Sequence, residues 1–148
     1  MTATRIFSGA RHRRGAGFSL IELLVVLVIL GLLAGLVGPR VMKYLGGAKT
    51  DSARLQIEDL GASLDLYRLE VGSYPTTDQG LQALVSEPDG ARGWNGPYLK
   101  KNFVPQDPWG NDYEYRFPGE NGEYDLFTYG ADGTPGGEGE AADVVSWE

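Results

Sequence analysis

The chain has 148 residues, twenty acids against thirteen Lys/Arg, and a net charge of −7. That balance argues against a nucleic-acid partner, because phosphate binding needs a Lys/Arg footprint. With no cysteine and only His12, there is neither a disulfide scaffold nor a base for nucleophilic catalysis, so an enzyme is not expected.

The first segment is basic. Residues 1–17 hold Arg5, Arg11, Arg13 and Arg14 and no acid, which leaves nine basic residues against twenty acids beyond it. Gly17-Phe18-Ser19-Leu20-Ile21-Glu22 follows, and then an apolar run to Gly38. Phe18 to Gly38 is long enough to cross a bilayer core of ~30 Å as a helix. It exceeds the apolar region of a secretory signal, and Leu36-Val37-Gly38-Pro39 is a poor signal cleavage site. The basic leader favours a cytoplasmic N-terminus. A charge within such a span costs about 2.5–3.5 kcal/mol, so Glu22 marks a function. A plain single-span anchor is the simpler reading and leaves Glu22 unexplained. Gly31 and Gly35 would allow close helix approach, although ordinary glycine usage in a membrane helix explains them equally well. Pro39 should break or kink the helix, and Gly46-Gly47 is a second weak point.

The order Gly17-Phe18-Ser19-Leu20-Ile21-Glu22 plus apolar run resembles the processing site of type IV pilins and type II secretion pseudopilins. The resemblance implies cleavage by a prepilin peptidase between Gly17 and Phe18, N-methylation of Phe18, and an assembly role for Glu22. Cleavage would create an α-ammonium at Phe18. Glu22 of a neighbouring subunit could pair with it, offsetting part of both desolvation costs and setting an axial stagger. A pair within one subunit is the competing reading, since the groups lie one helical turn apart.

Residues 48–72 carry Ala53, Ile57, Leu60, Leu64, Tyr67 and Val71 at 4-3-4-3-4 spacing, one face of an amphipathic helix. Span and amphipathic stretch could form one element of about 50 residues. Gly72-Ser73-Tyr74-Pro75 stops it. Thr76-Thr77-Asp78-Gln79 reads as a capping box, predicting a short helix to about Val85 that buries Leu81 and Leu84. A loop follows from Glu87 to Pro97, with Trp94 and Tyr98 as anchors. Asp107-Pro108-Trp109-Gly110-Asn111-Asp112 is turn chemistry. Tyr113 to Phe117 alternates as a half-buried strand, Pro118 to Gly122 is a hairpin connection, and Tyr124 to Tyr129 is the return strand. Val144, Val145 and Trp147 suggest a third. The expected fold is α+β, a long N-terminal helix packed on a small C-terminal antiparallel sheet. Its parts are a removed leader (1–17), a transmembrane helix (18–38) and a head (39–148).

Asp132, Glu138, Glu140, Asp143 and Glu148 share the C-terminal stretch with glycines and no Lys or Arg. Hard cations take carboxylate, carbonyl and water oxygens, but no EF-hand spacing is present. Read from residues alone, a solvated acidic loop is the simpler account.

Tyr74-Pro75-Thr76-Thr77-Asp78-Gln79-Gly80-Leu81, Asp107-Pro108-Trp109-Gly110-Asn111 and Gly130-Ala131-Asp132-Gly133, in that order, resemble the major pseudopilins of type II secretion. That resemblance implies a pilin-like fold and one structural Ca²⁺ held by Asp132, by Asp143 or with Glu140 as substitute, and by the carbonyls of Tyr129 and Thr134. It implies a single-pass inner-membrane protein with a periplasmic head that polymerises with itself. Minor pseudopilins, the prepilin peptidase and an inner-membrane assembly platform would be its partners. The alternatives are a type IV pilin or minor pseudopilin, serving adhesion, motility or DNA uptake, and a membrane-anchored binding module.

Overall fold

The computed structural model describes residues 17–148. The leader expected to be removed therefore lies, apart from Gly17, outside the described residues. The chain divides into two units, Met1–Pro39 and Arg40–Glu148.

Helix α1 runs from Leu20 to Val71. It starts two residues inside the apolar run because Ser19 caps it. The Ser19 Oγ accepts a hydrogen bond from Ile21 N at 3.3 Å, and the Ser19 carbonyl accepts from Leu23 N at 3.1 Å. One of the otherwise orphaned N–H groups is thereby satisfied. Of the break or kink expected at Pro39, the break does not occur, since Pro39 lies inside α1. The helix also passes through Gly46-Gly47. In an apolar run, leaving the helix would orphan more backbone groups than the one bond that proline removes. Gly72 ends α1 in the left-handed region at φ 97°. Its N–H donates to the Arg68 carbonyl at 2.8 Å, a glycine C-cap.

In the unit Arg40–Glu148, the α1 stripe is the core. Ala53, Ile57, Leu60, Leu64 and Tyr67 are all buried, with Leu81, Leu84, Tyr113, Tyr115, Leu126 and Val144 against them. The sheet has three antiparallel strands in the order β1 (Glu114–Arg116), β2 (Asp125–Thr128), β3 (Val144–Val145). Tyr115 opposes Leu126 and Thr128 opposes Val144, and all four are buried. The strands are shorter than the alternation suggested. Trp147 lies beyond β3 and packs edge-on to Phe127, with ring centres 5.8 Å apart.

The capping box after α1 forms in both directions. Thr76 N donates to Gln79 Oε1 at 2.9 Å, and Gln79 N donates to Thr76 Oγ1 at 3.3 Å. The α-helix it announces does not follow. Gly80, at φ 57° and ψ −165°, interrupts it, leaving a 3-10 turn at Leu81–Leu84. Leu81 and Leu84 are nonetheless buried. Trp94 and Tyr98 anchor the next loop as expected. Trp94 Nε1 donates to the Ala83 carbonyl at 2.9 Å, and the Tyr98 hydroxyl donates to Glu70 Oε2 at 2.7 Å.

Two polar clusters tie the β1–β2 hairpin down. The Tyr74 hydroxyl donates to Asp65 Oδ1 at 2.7 Å, and Arg68 pairs with Glu123 at 2.8 Å. Burial and the bond to Asp65 push the Tyr74 hydroxyl up to about 12. Within the hairpin, Asp125 is buried and accepts from Glu120 N (2.9 Å), Asn121 N (3.0 Å) and Asn121 Nδ2 (3.3 Å). Burial alone would raise its carboxyl, but these bonds outweigh burial and hold it below the ordinary carboxylate range.

A folded-state carboxyl held low contributes stability above its unfolded value and loses it as pH falls through the folded one. Asp125→Ala should therefore destabilise the head by about 1–3 kcal/mol at pH 7. The gap between variant and wild type should narrow as pH drops below the ordinary carboxylate range. Urea unfolding of the detergent-solubilised chain across that range is the check.

Candidate functional site

Two regions carry the functional residues. In the first, Gly17, Phe18 and Ser19 precede the helix and Glu22 sits in its first turn. Phe18 is 78% exposed. The apolar segment has a mean hydropathy of 3.0 over its best window, with none of that window buried. A β-carbon at Gly31, Gly35 or Gly38 would meet nothing within 4 Å. An apolar helix open all round needs lipid or other helices as its solvent. The chain is accordingly anchored to a membrane by this segment. The carboxylate at the helix start faces the positive end of the helix dipole, which favours an anion there. The role of Ser19 has a local signal, since Ser19-Leu20-Ile21-Glu22 has the Ser-x-x-Glu form of a capping box ahead of an apolar run.

The second region is the acidic loop after β2. It rests on the turn at Asp107–Asn111. Asp107 is buried, and its Oδ1 accepts from Trp109 N (2.9 Å) and Asn111 N (2.8 Å). Its Oδ2 accepts from the Thr128 hydroxyl at the end of β2. Asn111 Nδ2 donates to the Gly130 carbonyl at 2.9 Å, and Gly130 N donates to Thr128 Oγ1 at 3.3 Å. The Asp-Pro-Trp-Gly-Asn segment is thus the footing of the loop, which its turn chemistry did not disclose.

Tyr129 leads into a 3-10 turn at Gly130–Asp132, and a second such turn spans Gly139–Ala141. The turns lie against each other. A β-carbon on Gly130 would sit 2.6 Å from the Glu140 carbonyl and 2.8 Å from that of Ala142. This packing brings the segment bearing Asp132 beside the segment leading to Asp143. Each carboxylate is oriented by the loop's own backbone. Thr134 N donates to Asp132 Oδ1 at 3.2 Å, and Gly136 N donates to the Asp143 carboxylate at 3.0 Å. Glu140 turns elsewhere, its Oε2 accepting from Trp109 Nε1 at 3.3 Å.

Among the described residues, no three acidic, His or Cys side chains converge as a metal-binding group. The loop offers oxygen donors and no sulfur or imidazole, which is the chemistry a hard cation requires. A cation here would take most of its oxygens from carbonyls and water.

A lipid-soluble helix whose later turns form the core of a small antiparallel α+β head, with an acid in its first turn, defines the pilin-like class. The comparisons narrow it. Residues 40–147 match the model of the type II secretion system protein G family, and residues 12–38 match the prokaryotic N-terminal methylation motif. The type II secretion system core protein G of Pseudomonas aeruginosa is 47% identical over 142 residues, covering 93% of this chain and 99% of its own. That of Vibrio cholerae is 47% identical over 140 residues, covering 93% and 94%. The crystal structure of the major pseudopilin from the type 2 secretion system of enterohaemorrhagic Escherichia coli superposes with a TM-score of 0.61 at 37% identity, covering 72% of this chain and 92% of that one. The chain belongs to the type II secretion system protein G family, the major pseudopilins.

Gly130 at φ 70° has no room for a side chain against two backbone carbonyls. Gly130→Ala should cost about 1–3 kcal/mol, read as a lower urea midpoint at unchanged slope.

Proposed function

We propose that this chain is the structural subunit of a type II secretion pseudopilus. The observation that carries the reading is the unburied apolar helix with Glu22 in its first turn, in a chain that matches the N-terminal methylation motif. A prepilin peptidase cuts between Gly17 and Phe18, and Phe18 is N-methylated. The subunit is stored in the inner membrane with its head in the periplasm. On assembly, Glu22 of one subunit pairs with the α-ammonium of the next. Both groups are costly in lipid, so the pair forms at the point where it relieves two desolvation penalties. The contact is head-to-tail and does not close, which is the condition for a filament. Minor pseudopilins and an inner-membrane assembly platform are the partners, and growth of the filament moves folded proteins across the outer membrane.

We further propose that one Ca²⁺ is held by Asp132, Asp143 and the carbonyls of Tyr129 and Thr134. The hard-oxygen donor set supports it. The ion's charge would offset the loop's lack of any Lys or Arg.

Mass spectrometry of the native protein should show loss of residues 1–17 and one added methyl at the new N-terminus. Glu22→Ala should be processed normally yet form no filaments by electron microscopy. Filaments and export at wild-type levels would overturn the pairing. For the cation, a chelator should lower the melting temperature of the head, and saturating Ca²⁺ at 100 times its Kd should restore about 2.7 kcal/mol. An unchanged melt would defeat the site.

A further inference from the structure

Glu140 is held from three sides, by three separate parts of the head. Its carboxylate accepts from the indole of Trp109 in the Asp107–Asn111 turn. Its aliphatic stem lies over Gly46 of α1, where a β-carbon would collide with Cγ and stand 2.8 Å from Oε1. Its own carbonyl closes over Gly130. Gly46 is buried, although its neighbours on α1 are exposed, so the acidic loop is what covers it. A glycine in a helix interior costs roughly 0.5–1 kcal/mol relative to alanine. Here it leaves a notch that admits the Glu140 stem.

We propose that Glu140 is the positioning residue that seats the acidic loop on α1, through Gly46 and Trp109, and so presents the loop's oxygens to the cation without being a ligand itself. This rests on the cation reading above. The geometry favours a strap over a ligand, because the Glu140 stem lies in the Gly46 notch and its carboxylate reaches Trp109 in the turn at the base of the loop. A glutamine in its place keeps an acceptor for Trp109 and the same stem for Gly46. A cation would feel the loss of charge, whereas the strap would not.

The test compares wild type with Glu140→Gln, Glu140→Ala and Gly46→Ala, all as the full chain in detergent. Two readouts are taken: hydrogen exchange of residues 130–143 without divalent ions, and the Ca²⁺ concentration at half-maximal protection. Glu140→Gln should match wild type in both. Glu140→Ala and Gly46→Ala should exchange about tenfold faster in the loop and need about tenfold more Ca²⁺. Gly46→Ala is informative because alanine favours the helix itself, so lost loop protection there reports the displaced Glu140 stem. If Glu140→Gln weakens Ca²⁺ binding as much as Glu140→Ala while Gly46→Ala leaves it intact, Glu140 is a ligand and the proposal fails. It also fails if loop exchange is the same in all four proteins. Should wild type show no response to Ca²⁺, the cation reading falls alone, and the metal-free exchange pattern still upholds or overturns the seat.

Discussion

The head is organised by one contact, the apolar stripe of α1 against the inner face of the sheet. Ala53, Ile57, Leu60, Leu64 and Tyr67 meet Tyr115, Leu126 and Val144 in a single core. Each fully buried aliphatic side chain of this kind contributes about 1.5–3 kcal/mol. Without that face, β1, β2 and β3 are too short to persist, since even a two-stranded hairpin is marginal in water. With it, the same helix that is soluble in lipid over its first turns becomes the spine of a folded domain. The fold therefore places membrane attachment and head structure on one continuous element.

The functional loop depends on that core only indirectly. Its footing is the Asp107–Asn111 turn, whose buried carboxylate joins the turn to Thr128 at the end of β2. Asn111 and Trp109 then hold Gly130 and Glu140. The loop is thus fixed at its base by uncharged and charge-assisted hydrogen bonds, while its tip carries carboxylates with no basic partner in the sequence from 132 to 148.

The amphipathic period, the stop at Gly72 and the capping box at Thr76 are legible in the residues, because each is decided by neighbours a few positions away; Trp94 and Tyr98 are legible as the large aromatics of a Gly/Pro-rich loop, although their partners Ala83 and Glu70 lie 11 and 28 positions away. The helix predicted to Val85 was not realised, because Gly80 adopts a backbone that no helical register accepts. Pro39 failed to break α1 for the opposite reason: the local penalty is smaller than the cost of orphaning the backbone around it. Trp147 was expected in a strand and instead packs on Phe127 as an aromatic edge. In each case the local signal was present and a different term was larger.

For the site, the membrane segment, the acid at its start and the acidic, glycine-rich character of the loop can be read from the residues, since hydropathy, charge and turn preference are properties of a short stretch. What Glu140 touches, what lies over Gly46 and what the Asp-Pro-Trp-Gly-Asn turn supports emerge only from the folded chain. Those contacts join residues from 19 to 94 positions apart. The folding of the turn and the loop against each other and against α1 brings such residues within reach, and no local periodicity encodes it.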